Sequence, residues 1–235
     1  MTQALIYTGG ISHPFDDAAP TLADILIAAG FASRVSFELP EVLAWAEHDP
    51  AALLVIYALR WSMTQDPKYA PDRARWGLAL PADVRAAIAR HVAGGGGLLG
   101  IHTASICFDD WPGWRDVLGG AWQWGKSFHP LLGPVSARLN VEHFLTRGLP
   151  DFTLIDEVYS ELQLAPGIDI AGWASAGASS DFQPAIWTYQ YGAGRVVYDS
   201  LGHDSASLQH PVHRRLLQRA ALWASGTPDH IVEAA

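Results

Sequence analysis

Ala93-Gly94-Gly95-Gly96-Gly97-Leu98-Leu99-Gly100-Ile101-His102-Thr103-Ala104-Ser105 is the stretch on which the fold turns. Its four consecutive glycines separate an amphipathic segment, residues 81–92, from an unbroken apolar run at 98–101. Pro81 suits the first turn of a helix, and Asp83 favours its positive end. The apolar run reads as a strand buried on both faces. It breaks sharply at small residues, leaving His102 at the tip.

The glycines do not make a nucleotide site. A phosphate-binding loop needs Lys and then Ser or Thr after its glycines, and both are missing. A dinucleotide fingerprint follows a strand and opens a helix, whereas this run follows a helix and opens a strand. It reads as a left-handed helix cap with close helix–sheet packing, and no nucleotide cofactor is expected.

Toward the N-terminus the same alternation repeats. Residues 4–8 and 51–59 are apolar runs of buried-strand type, and 32–37 is a weaker strand. Helices are predicted over 21–29, stopped by Gly30, and over 41–47 after Pro40. Residues 60–80 form a polar stretch with two Pro and two Trp, expected as a long loop of the kind that often carries function.

Toward the C-terminus the strand candidates are 135–141, 168–174, 184–188 and 195–200. A tight turn at 190–194 joins the last two, and a final helix covers 211–224. The expected class is α/β, with a mainly parallel sheet, helices on both faces and an added antiparallel hairpin in the C-terminal half. Residues 1–235 read as one domain without linker or repeat.

Composition limits the partners. A formal charge of −9 argues against nucleic acid, which demands surplus Lys and Arg. No apolar run reaches the ~20 residues that span a bilayer. The N-terminus lacks the pattern of a signal peptide. One cysteine, Cys107, excludes an internal disulfide and is expected as a packed thiol. A cytoplasmic location is expected, and a homo-oligomer is left open. The ten Trp suit a thick core or a cleft for a planar or sugar-like ligand.

Four blocks in order carry a resemblance. Gly95-Gly96-Gly97-Leu98-Leu99-Gly100-Ile101-His102-Thr103-Ala104 is similar to the GGG-L-x-G-x-H-x-A signature of ThuA-like (trehalose utilisation) proteins. Gly148-Leu149-Pro150-Asp151-Phe152, with Asp156-Glu157-Val158-Tyr159, resembles the family's G-L-P-x-F…D-E-x-Y segment. Trp187 to Tyr198, then Leu201-Gly202-His203-Asp204, resembles its W-x-x-x-Y-G-x-G-R-V-x-Y…L-G-H-D block. Thr8-Gly9-Gly10…His13 matches more loosely. Glu142-His143-Phe144 departs from the family at the expected proline.

The resemblance implies a flavodoxin-like three-layer sandwich on the glutamine-amidotransferase-like scaffold, with His102 where amidotransferases carry cysteine. Without that thiolate no glutaminyl intermediate forms, so amidotransferase chemistry is not expected. It also implies carbohydrate catabolism, acting as a lyase or hydrolase on 3-keto-glycosides. The alternatives are a keto-sugar isomerase or epimerase, and a non-catalytic sugar-binding domain.

His102 and His203 both follow strands, where α/β folds gather reactive groups. Imidazole suits proton transfer or metal ligation. His102 is the candidate base, and His203 or Glu157 the candidate acid. The same three are the candidates for a divalent cation, and Asp204 is a candidate to orient His203. Candidate substrate contacts are His13, Trp61, His129, Tyr159, Trp187, Arg195 and Asp204, with Trp122 and Trp124 able to stack on a sugar. Arg195 has a structural alternative, pinning backbone carbonyls, and each Trp has the alternative of filling the core.

Overall fold

Leu53–Leu59 is buried at every position, as a strand covered by helices on both sides must be. A computed structural model of the protein describes residues 1–177, 179 and 181–235. Its strands are β1 (Gln3–Gly10), β2 (Ala32–Ser36), β3 (Leu53–Leu59), β4 (Gly97–Ile101), β5 (Gly120–Ala121), β6 (Gly133–Leu139), β7 (Phe152–Asp156), β8 (Gln163–Leu164), β9 (Asp169–Ala176), β10 (Gln183–Tyr191) and β11 (Gly194–Asp199). The helices are α1 (Phe15–Ala28), α2 (Leu39–His48), α3 (Ala70–Trp76), α4 (Ala82–Ala93), α5 (Trp114–Leu118), α6 (Ser205–Gln209), α7 (Pro211–Ala224) and α8 (Asp229–Ala234).

Nine strands form one sheet in the order β2-β1-β3-β4-β11-β10-β9-β6-β7, while β5 and β8 pair separately. The first five run parallel. From β11 to β7 every pairing is antiparallel, so the antiparallel part is larger than one hairpin. Alternate side chains of β1 enter different cores. Ala4 and Ile6 pack with α1 and α7 on one face, and Leu5 and Tyr7 with α2 and α4 on the other. The three-layer α/β arrangement is therefore present.

The glycine run does what its placement predicts. Gly95 adopts φ +109°, and a Cβ on Gly97 would lie 2.4 Å from the Ala224 carbonyl oxygen. The strand–α7 contact thus requires glycine. The stretch 60–80 is more ordered than the expected loop, because Pro67–Tyr69 makes a 3₁₀ turn that leads into α3. No helix among the described residues is long and apolar enough to cross a membrane.

The sheet also curls. From β4 to β7 there are five strand spacings, roughly 24 Å on a flat sheet at ~4.8 Å each. Yet Asp156, the last residue of β7, lies 3.8 Å from His102, just beyond β4. Curling brings the far edge back over the carboxyl ends of the central strands. That closure builds the site.

Candidate functional site

Four segments converge at the carboxyl edge. His13 sits in the loop after β1, His102 opens the 3₁₀ turn after β4, Glu157 follows β7, and His203 lies in the loop after β11. One ligand atom from each lies within 4.8 Å of all the others. His102 is held at φ +50°, a conformation that costs a non-glycine residue about 1–3 kcal/mol and recurs at functional sites.

Each imidazole is aimed by a backbone carbonyl. His102 Nδ1 lies 2.7 Å from Ser200 O, and His13 Nδ1 lies 3.3 Å from Ile11 O. A carbonyl only accepts, so both Nδ1 atoms carry the proton, and the neutral rings present bare Nε2 atoms to the cluster. Those two Nε2 atoms are 3.0 Å apart. His102 Nε2 is also 3.5 Å from Glu157 Oε2 and 3.2 Å from the Tyr159 hydroxyl. His203 Nδ1 and His13 Nε2 stand 3.7 and 3.8 Å from Glu157 Oε2. Among the described residues, Glu157 Oε2 and His203 Nδ1 are buried without a hydrogen-bond partner.

Burial raises the pKa of the Glu157 carboxyl, and the surrounding imidazoles, in their protonated forms, outweigh it and lower the pKa. Burial lowers His13. Burial would also lower His203, yet the facing Glu157 carboxylate outweighs it and the pKa rises.

Asp156 positions the loop that bears His203. Its Oδ2 accepts from the Gly202 N–H at 2.8 Å, more weakly from the His203 N–H at 3.4 Å, and from the Ser207 hydroxyl. Its Oδ1 accepts from the Glu157 N–H at 2.8 Å. Asp156 therefore fixes two of the four donors through backbone.

An aromatic box adjoins the cluster. Trp61 and Trp124 stack at 6.1 Å, Tyr69 meets both edge-on, and Trp122 stands edge-on to Tyr159 and His129. The enclosed cavity is about 220 Å³ and reaches Glu157 and His13. The indole N–H groups of Trp122 and Trp124 have no acceptor among the described residues.

A family model described as ThuA, trehalose utilisation, matches residues 3–224. The chain belongs to the ThuA family. Its role is thus carbohydrate-related. No curated protein matches it significantly in sequence. A ThuA-like protein of Parabacteroides merdae shares 20% identity at TM-score 0.74, over 96% of this chain and 90% of that one. One from Bacteroides uniformis shares 17% at 0.64, over 95% and 91%. A β-galactosidase from Rahnella sp. R3 shares 14% at 0.58, over 97% of this chain but 32% of its own. At these identities the likenesses establish a shared fold and no more; the ThuA family as a whole is described as glutamine-amidotransferase-like in fold.

Seven of the ten candidates come together in this ThuA-family chain: His13, Trp61, His102, His129, Glu157, Tyr159 and His203. Three do not. Trp187 is fully buried and donates to Leu118 O at 3.1 Å, so it is core. Arg195 donates to the carbonyls of Trp223 at 3.2 Å and Thr227 at 2.8 Å, the structural alternative. Asp204 caps α6 by accepting from the Ser207 N–H at 2.8 Å, and the acid that holds the His203 loop is Asp156. Cys107 is buried, donates to Ala58 O at 2.9 Å and is pushed up to about 12 by burial, which makes it inert. Tyr69 escaped the sequence reading because no periodicity marks a residue between two short helical turns.

Proposed function

We propose that this ThuA-family protein cleaves 3-keto-glycosides, and that His13, His102, His203 and Glu157 hold a divalent cation in doing so. The observation that carries this is the donor set itself: three imidazoles and one carboxylate whose ligand atoms lie within 4.8 Å of one another, two of them, Glu157 Oε2 and His203 Nδ1, without a hydrogen-bond partner among the described residues. Nitrogen and carboxylate donors with carbonyl-oriented rings suit a transition-metal dication. Bound there, the ion would supply Lewis acidity beside the substrate ketone.

The chain's own groups then divide the remaining work. His102 has no exposed surface, which favours holding the cation over the role of base. His129 stands outside the four-donor set on the wall of the aromatic cavity, with a side chain 38% exposed. Its Nδ1 donates to Pro130 O at 2.9 Å, which leaves Nε2 bare. His129 Nε2 takes the proton at C2, made acidic by the neighbouring ketone. The C2–H electron pair becomes the C1=C2 double bond while the C1–O bond breaks. The departing oxygen leaves with the pair and takes a proton, which the His129 imidazolium can return. Water addition to the double bond would complete hydrolysis.

Tyr159 keeps its phenol proton, since burial and then Glu157 raise its pKa well above normal. It serves to orient His102 and the ring that enters the box.

The test is incubation of the purified protein with 3-ketotrehalose and 3-ketoglucosides, with and without added divalent metal, followed by mass spectrometry. Release of free glucose or alcohol is expected. Conversion to an isomer in deuterated water, with the carbon skeleton retained, would establish an isomerase or epimerase instead. Binding without turnover would leave a sugar-binding domain.

A further inference from the structure

His13 is a wall of two cavities, one on each side of the cluster. The aromatic box is one. The other, about 510 Å³, lies outside the carboxyl ends of β1 and β3. There the strand order reverses direction about β1, the place where open α/β sheets bind ligands.

The lining of this second cavity has a definite character. The Trp76 indole carries two guanidiniums, Arg60 at 5.4 Å and Arg75 at 4.6 Å from its ring centroid. Arg60 is oriented by donating Nε to the Trp76 carbonyl at 2.9 Å. Phe37 adds a second ring, and Asp16 and Glu38 add two carboxylates. Two cations against two anions select no net charge. Two aromatic rings, Trp76 and Phe37, set among guanidiniums and carboxylates match a ring with a C–H face and many hydroxyls.

We infer that this cavity is the subsite for the leaving sugar, so that the preferred substrate has two linked rings. The oxidised ring fills the small aromatic box, and a neutral, unmodified pyranose lies against Trp76. This rests on the 3-keto-glycoside reading above. The sizes agree with it, because the tighter cavity belongs where the reacting ring must be held and the roomier one where a whole sugar departs. His13, shared by both walls, places the linkage beside the four donors. Trp76 and Arg75 both come from α3, within the stretch 60–80 that lies outside the motif blocks quoted above, so one short helix supplies the wall for the leaving group.

The experiment compares Trp76→Ala and Arg75→Gln with the wild type on two substrates. One is 3-ketotrehalose; the other is methyl 3-ketoglucoside, whose methanol leaving group is too small to occupy the second cavity. The expected result is a KM for 3-ketotrehalose raised tenfold or more, at least fivefold beyond any change on the methyl glycoside, with bound metal unaltered. Arg75 is exposed, so its variant remains informative if loss of Trp76 disturbs folding. Equal losses on both substrates overturn the inference and leave the cleavage reading standing. Tighter inhibition by glucuronate or glucose 6-phosphate than by glucose, lost in Arg75→Gln, would make the cavity an anion site and also overturn it. If the wild type turns over neither substrate, the cleavage reading falls and the inference with it.

Discussion

His13 Nε2 and His102 Nε2 face each other at 3.0 Å while both rings spend their Nδ1 protons on backbone carbonyls. Two bare lone pairs at that separation repel unless a proton or a cation lies between them. Glu157 Oε2 and His203 Nδ1, each without a hydrogen-bond partner among the described residues, complete the set, so a dication satisfies four groups at once where a proton satisfies two. Several expectations follow from this juxtaposition and from the frame around it.

Stripping the protein with chelator and adding back Zn²⁺, Mn²⁺, Co²⁺ or Mg²⁺ should raise its melting temperature with at least one ion. At a hundredfold excess over Kd, binding to the folded state alone is worth about 2.7 kcal/mol. For a chain of this size that is roughly 5–11 °C. His102→Ala should abolish the increment. A melting curve indifferent to every ion, together with elemental analysis that finds none, would sink the metal assignment.

Asp156→Asn should weaken the site without unfolding the chain. The carboxylate accepts from the Gly202 and His203 backbone and from the Ser207 hydroxyl, so the amide presents an N–H where an acceptor is needed. Loss of a partner that orients metal ligands costs typically 10–100-fold in metal affinity. Competition with a fluorescent chelator reads this directly, and an unchanged affinity would refute the positioning role.

His213 predicts a pH dependence of stability. It is fully buried, with Nδ1 2.8 Å from Ser207 O and Nε2 3.1 Å from Asp199 Oδ2. Burial would lower its pKa, but the Asp199 carboxylate overrides this and raises it. A group raised on folding stabilises fully below its unfolded pKa of about 6.5, and that contribution disappears as pH climbs through the folded value. Urea midpoints should therefore fall on the alkaline side of neutrality more steeply in the wild type than in His213→Ala. The variant should itself be less stable by roughly 3–5 kcal/mol, because Asp199 is left buried and unpaired. Parallel pH profiles for the two proteins would contradict the ion pair.

Trp124→Ala should loosen sugar binding while sparing the metal. Removing a stacked indole forfeits roughly 1.5–3 kcal/mol of apolar burial, about 10-fold or more in Kd. Calorimetric titration with trehalose or glucose measures it. Equal affinity in both proteins would show that the box does not hold a sugar.

Cys107→Ala should retain full turnover, since the thiol is packed against Ala58 O and held protonated. Any loss beyond that of a small core cavity would reopen the case for a covalent thiol.

Much of the frame was legible locally. Residues 81–92, 98–101 and 211–224 lie within a residue or two of α4, β4 and α7, because helix and buried-strand periodicities are written in neighbouring residues. Within 60–80, α3 shows no helical period in the sequence, because seven residues are too few for one to stand out. Trp187 and Arg195 lie in a motif that resembles the family's and yet serve the core and a helix end. A motif records that a residue type is needed, not whether the need is chemical or structural.

By itself the sequence determined the α/β layering, placed His102 and His203 at strand ends and denied the elbow its cysteine. Only the tertiary structure decided that His13 and Glu157 join them, because that depends on the curl that carries the end of β7 back over β4. The curl is the sum of many small strand twists and turns, and no local stretch of residues encodes such a sum. The same closure arranged the side chains. It buried His102 among other donors, left His129 facing the cavity, and gave to Asp156 the positioning task that adjacency in the chain had suggested for Asp204.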